Sequence, residues 1–155
     1  MSLADIFKGF PNLHPLFVHF PIVLLLIAAI AQIAVLFFPG NKQLNWLSFL
    51  LVAAGCVGAF IAIKTATHVS GEADERALII FEQHQLYGQL TFYISLGAAM
   101  IRFISFQWFT KKWVEIFLTI TYITIGALVT ITAHHGAQMV YLYGVGPQGN
   151  GVLSK

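Results

Sequence analysis

Four long apolar runs limit what this chain can become. Leu16 to Phe38 is interrupted only by His19, Pro21 and Gln32. Leu47 to Ala66 ends near Lys64, Leu86 to Ser105 carries Arg102 near its end, and Val114 to Ala133 is polar only at Glu115 and its threonines. Each reaches about 20 residues, the length an α-helix needs to cross the hydrocarbon core of a bilayer. Strands of a membrane barrel would alternate over about 10 residues, and these runs do not alternate. The expected fold is therefore all-α: an integral membrane four-helix bundle, up-down-up-down, with both termini on the outer side.

Composition agrees. The 155 residues suffice for one domain, and 58% are hydrophobic against 9% charged, with a mean hydropathy of +0.81. A soluble domain carries about 25% charged residues. The net charge of +2 gives no argument for nucleic acid; the lipid bilayer is the expected partner. Cys56 is the only cysteine, so an internal disulfide and a thiolate metal site are both excluded, and it is a small packing residue. The first residues carry Asp5 and Lys8 rather than a basic cluster, and the apolar stretch that follows exceeds the about 7–15 residues of a signal h-region, so it counts as a span.

The patterns predict helices over about 15–38, 45–67, 73–106 and 112–143, with a flexible Gly-rich tail over 144–155. Pro39, Gly40 and Asn41 mark one tight turn and 107–112 another. Ser70 is placed to cap the third helix, with Glu72, Asp74 and Glu75 in a first turn that favours negative charge, so that helix should project beyond the bilayer. The short turns carry Lys42, Arg102, Lys111 and Lys112 against Glu115. The other side carries Lys8, Lys64, Arg76 and Lys155 against Asp5, Glu72, Asp74, Glu75 and Glu82. The numbers of lysines and arginines are equal, but those of the first side sit in short turns with little acidic company, and short basic turns belong in the cytoplasm. That predicts both termini and the long acidic connection facing out, with Trp46, Trp108 and Trp113 as an aromatic belt at the cytoplasmic boundary.

All six histidines, His14, His19, His68, His84, His134 and His135, then fall on the outer side. Counted from the opposite end of its own helix at about 1.5 Å per residue, each of the five separate positions sits roughly 28–36 Å up. Every helix delivers at least one imidazole to this band. Polar residues gather at a membrane edge in any case, so depth carries more weight than number. An imidazole at that depth needs a partner or a metal.

Haem iron is often held by histidine, and a four-helix bundle can hold cofactors between facing helices. The leading axial candidates are His19, His84 and His134, followed by His14 and His68; their pairing stays open. Small residues should flank such a plate: Gly88 lies one turn beyond His84, Gly126 and Thr130 lie on the face of His134, and Gly55, Gly58, Ala59 and Ala62 form a smooth surface on the second helix. Close small-xxx-small helix packing explains the same residues equally well. Lys64, Arg76, Tyr87, Tyr141 and Tyr143 are placed to meet haem propionates, although Lys64 also fits a snorkelling lysine. The kink at Pro21 either aims His19 inward or marks the membrane entry. Zinc or copper is the alternative, with His14, His19, His84 and His134 as ligands and Glu72 or Glu82 as base. No HExxH is present, and without CxxCH covalent haem attachment is excluded.

The entry segment His14-Pro15-Leu16-Phe17-Val18-His19-Phe20-Pro21, together with His134-His135-Gly136-Ala137-Gln138-Met139-Val140-Tyr141 and Tyr143-Gly144-Val145-Gly146, resembles a bacterial family of predicted four-helix membrane proteins of unknown function. Its members open on HPxxVHFP-like text and close on a histidine, a Gly-rich step and a VYxxGVG-like segment. The likeness spans nearly the whole chain, and with both termini facing out it implies a bacterial inner membrane with periplasmic termini. It implies His14, His19, His84 and His134 as the motif histidines; Gly136-Ala137 departs from the family's glycine pair, and His135 lies outside the shared motif. Similar domains occur joined to, or encoded near, c-type cytochrome domains, which implies an electron-transfer setting. The resulting expectation is a b-type cytochrome passing electrons between quinol and a periplasmic carrier, such as a cytochrome c. The alternatives are a zinc- or copper-binding protein, hydrolytic or not, and a structural anchor subunit of a respiratory complex.

Overall fold

The computed structural model describes residues 14–66, 74–108 and 112–145. They form four helices: α1 (His14–Phe37), α2 (Lys42–Thr65), α3 (Glu75–Trp108) and α4 (Lys112–Tyr143). Each packs on two neighbours, α1 on α2 and α4, α3 on α2 and α4, so α1 and α3 stand diagonally, as do α2 and α4. All four are long and apolar enough to cross a membrane. The start of α1, the end of α2, the start of α3 and the end of α4 share one end of the bundle, called here the histidine end; the other is the arginine end.

The distribution of side chains explains why this bundle belongs in lipid. Large apolar residues face outward along every helix, among them Phe20, Ile30, Phe37, Leu50, Val57, Met100, Ile120 and Ile123. Inside lie small residues and a compact core of Leu25, Ala28, Ala29, Val52, Ala98, Ala99, Leu118, Tyr122, Ile125 and Val129. In water such a surface would be an aggregation site. In hydrocarbon the apolar exterior costs nothing, and packing selects small residues at helix contacts. Gly55 and Gly58 do this for α1 against α2. A Cβ on Gly55 would sit 2.6 Å from Leu25 Cδ2, and one on Gly58 would sit 3.0 Å from Pro21 Cδ. Gly126 faces Leu26 and Ala29 at ordinary contact distances of 3.7 and 3.8 Å. These three glycines therefore serve helix packing, and side chains of α1 fill the space that the sequence left open for a cofactor plate.

Helix ends differ in detail from the sequence expectation. α2 begins at Lys42 rather than near 45, because the Asn41 side chain accepts from Leu44 N at 3.1 Å and caps it. Gly40, at φ +83°, makes the turn before it. α3 begins at Glu75, with Asp74 Oδ1 accepting from Arg76 N at 2.7 Å; the expected Ser70 cap lies outside the described residues. α4 ends on Gly144 at φ +64°, which turns the chain so that Val145 N donates to Met139 O at 3.0 Å and the Val145 side chain is buried. The tail beyond 145 lies outside the described residues.

α1 and α2 have 24 residues each, α3 has 34 and α4 has 32. At about 1.5 Å per residue, the longer pair outruns a hydrocarbon core of about 30 Å. The excess lies at the histidine end. His14, the first residue of α1, meets Ala62 of α2 and His84 of α3, and His84 meets Thr132 of α4. α3 before His84 and α4 after Thr132 therefore rise past the ends of α1 and α2.

Candidate functional site

The histidines do not all converge. His14 and His84 do, across the diagonal of the bundle, with ring centroids 6.1 Å apart and planes at 81°. Backbone carbonyls orient both rings: His14 Nδ1 donates to Ala62 O at 2.7 Å, and His84 Nδ1 donates to Thr132 O at 2.9 Å. A carbonyl only accepts, so in each neutral ring Nδ1 carries the proton and Nε2 carries the lone pair. This is the arrangement in which imidazoles ligate metals: one nitrogen is fixed by an outer acceptor and the other is basic. Gly136 supports it from α4, where an added Cβ would lie 3.3 Å from His84 Cε1 and 3.5 Å from Nδ1. The departure-bearing Gly136-Ala137 step thus keeps its glycine at the position that touches an imidazole.

His19 and His134 are turned away, and helix geometry gives the reason. At about 100° per residue, His19 lies some 140° around α1 from His14, so only one of the two can face the bundle axis. His19 is exposed, and its Nδ1 bonds the Pro15 carbonyl of its own helix at 2.7 Å. Pro21 packs on Gly58 and does not bring His19 inward. On α4 it is His135 that faces α3, stacking on Tyr87 at 5.4 Å with planes at 29°, while His134 is exposed with its ring 6.2 Å from that of His135. His68 lies outside the described residues.

The remaining sequence candidates are placed as follows. Lys64 is exposed, its Nζ 5.6 Å over the Phe60 ring, as a snorkelling lysine would be. Gly88 faces Thr132 Cγ2 at 3.7 Å and makes no contact with the histidine pair that would require glycine. Among the described residues no group of three or more His, Cys, Asp or Glu side chains gathers as a metal site.

Sequence reasoning missed a second polar constellation at the arginine end. Arg102 is 1% exposed in the midst of apolar helices. Its Nη1 donates to Glu115 Oε1 at 2.7 Å, and its Nη2 donates to Glu115 Oε2 at 2.9 Å and to Gln32 Oε1. Gln32 Nε2 donates to Glu115 Oε2 at 3.1 Å, and Ser48 Oγ donates to Gln32 Oε1 at 2.7 Å. All four helices thus contribute. Arg102 and Glu115 had counted only as turn charges. Their depth was readable: Gln32, Arg102 and Glu115 interrupt three apolar runs at matching distances from one membrane face. The pair is internally neutral, so it leaves Lys42 and Lys112 as the uncompensated described cations at this end, beside the exposed Trp46 and Trp113.

No curated protein and no solved structure matches the chain. A family model described as "Predicted membrane protein (DUF2231)" matches residues 10–149, from before the His14 entry segment to beyond the Gly144-Val145 turn. The four-span bundle and both motif segments fall within that match: the chain belongs to the DUF2231 family of predicted membrane proteins.

Proposed function

We propose that this chain is a membrane cytochrome of b type, in which His14 and His84 would hold one haem at the histidine end. The observation that carries the reading is the diagonal imidazole pair, each ring oriented through Nδ1 by a backbone carbonyl. The two rings stand 6.1 Å apart, and with Nδ1 bonded to a carbonyl each would ligate a metal through Nε2. Catalytic zinc takes about three protein ligands, whereas two imidazoles would suffice to hold a haem iron.

Bound haem would supply a one-electron couple; the protein's own residues do the rest. Ala62 O and Thr132 O set tautomer and orientation, and Gly136 admits the His84 ring against α4. Short basic turns at Lys42 and Lys112, against Lys64 and Arg76 set beside the acidic start of α3, support a cytoplasmic arginine end; the histidine end and both termini would then face the periplasm of a bacterial inner membrane. Electrons would then pass from quinol in the bilayer to a periplasmic carrier. The exposed acidic start of α3, Asp74, Glu75 and Glu82, offers a basic cytochrome c or a respiratory-complex subunit an attractive surface.

The test is the absorption spectrum of protein purified from haem-producing cells. The reading expects a Soret band that shifts on dithionite reduction and is lost in both His14→Ala and His84→Ala. His19→Ala should keep it. A colourless wild-type protein, or an unchanged band in both pair variants, would overturn the assignment.

A further inference from the structure

Two buried polar atoms stand unpartnered one helical turn apart on α4. They are His135 Nδ1 and Gln138 Oε1, and among the described residues neither has a hydrogen-bond partner. Residues three apart on a helix are neighbours on one face. That face meets α3, where the Tyr87 ring stacks on His135. A buried polar atom without a partner costs about 1–3 kcal/mol, and few are tolerated in one protein. Two such atoms, three residues apart on one helix, mark a demand that a group from outside the chain would meet.

The chemistry of the two atoms narrows that group. Gln138 Oε1 only accepts, so it needs a donor. His135 Nδ1, when protonated, needs an acceptor. A single hydroxyl serves both, its O–H donating to Gln138 and its oxygen accepting from His135. A carbonyl would satisfy His135 alone and leave Gln138 unmet. The site lies at the membrane edge: Leu86, Leu90 and Ile131 are exposed on its bilayer side and Glu82 and His134 beyond it, so a polar head would reach it with an apolar tail in lipid. The Tyr87 and His135 rings add flat surface suited to an aromatic head.

We infer that His135 and Gln138 bind the hydroxyl head of a quinol, entering from the bilayer between α3 and α4. The choice of a quinol among hydroxyl-bearing lipids rests on the electron-transfer reading, for which this site docks the electron donor on the same two helices that hold His84 in place. The site prefers quinol to quinone, because only the reduced head carries a proton for Gln138 Oε1.

The experiment is calorimetric titration of the full chain in lipid nanodiscs with decylubiquinol, kept reduced under nitrogen, and with decylubiquinone. Wild type should bind both saturably, quinol about tenfold more tightly, the ratio one hydrogen bond to a buried acceptor supports. Gln138→Leu should abolish that preference. His135→Phe, which keeps a ring against Tyr87 but removes the nitrogen, should weaken both ligands about tenfold. Absence of saturable binding in wild type, tighter binding of the quinone, wild-type affinities in both variants, or equal binding of dodecanol would each overturn the assignment. The titration reads heat and not colour. Protein without a Soret band that still discriminates quinol from quinone would lose the haem and keep this site; a haem protein without saturable binding would do the reverse.

Discussion

Breaking the Arg102–Glu115 pair should destabilise this bundle more than removing it altogether. Arg102 is 1% exposed and Glu115 is 22% exposed, and two hydrogen bonds of 2.7 and 2.9 Å join them. Glu115→Leu strands a guanidinium that cannot shed its proton, and it also takes the nearer of two acceptors from Gln32 Nε2. Removing one partner of a buried pair costs about 3–5 kcal/mol. Arg102→Met strands the more exposed partner, which can take up a proton or recruit water, so its cost belongs at about 3 kcal/mol, the lower end of that range. The double variant leaves no charge. It loses only the bonds that Gln32 made to the two side chains, about 1–2 kcal/mol in all. The singles together then exceed the double by at least about 4 kcal/mol, a coupling far outside the few tenths expected of independent sites. The assay is unfolding in mixed micelles by increasing SDS fraction, followed by far-UV circular dichroism. Additive losses, or single variants within about 1 kcal/mol of wild type, would refute the claim that this pair is a buried ion pair holding the helices in register.

Three further outcomes follow from packing and topology. Gly55→Ala should cost about 1–3 kcal/mol in the same assay, since its Cβ would lie 2.6 Å from Leu25 Cδ2, whereas Gly126→Ala, with contacts at 3.7 and 3.8 Å, should be close to neutral. Gly136→Leu should displace the His84 ring and lose the Soret band with helicity retained, while Gly88→Ala, whose Cβ would meet Thr132 at 3.7 Å, should leave the spectrum unchanged. In a Cys56→Ser background, an impermeant maleimide applied to intact spheroplasts should label Glu75→Cys and Tyr141→Cys but not Lys42→Cys or Lys112→Cys. The reverse pattern would invert the orientation.

The fold was legible because four apolar runs of membrane length leave few alternatives, and the described residues form four helices long and apolar enough to span a membrane. Height along the helices was legible too, as residue counts translate directly into rise. Rotation about the helix axis was harder. His14 and His19 share an entry motif, about 7.5 Å apart along α1, yet lie on different sides of it, and rotation likewise separates His134 from His135. Helix rotation is set by contacts such as Gly58 on Pro21, which belong to two helices at once. The arginine-end network went unseen for another reason. Charges near the ends of apolar runs were counted as loop charges, although the depth rule applied to the histidines would have placed Gln32, Arg102 and Glu115 in one layer.

The central claim is that two imidazoles, His14 and His84, share one iron. Electron paramagnetic resonance of the oxidised, purified protein at liquid-helium temperature tests it most directly. Two imidazoles on the iron would make ferric haem low-spin, so the account predicts a low-spin signal that both His14→Ala and His84→Ala abolish. A high-spin signal, or the absence of any ferric haem signal from protein made under haem-replete conditions, would contradict the account.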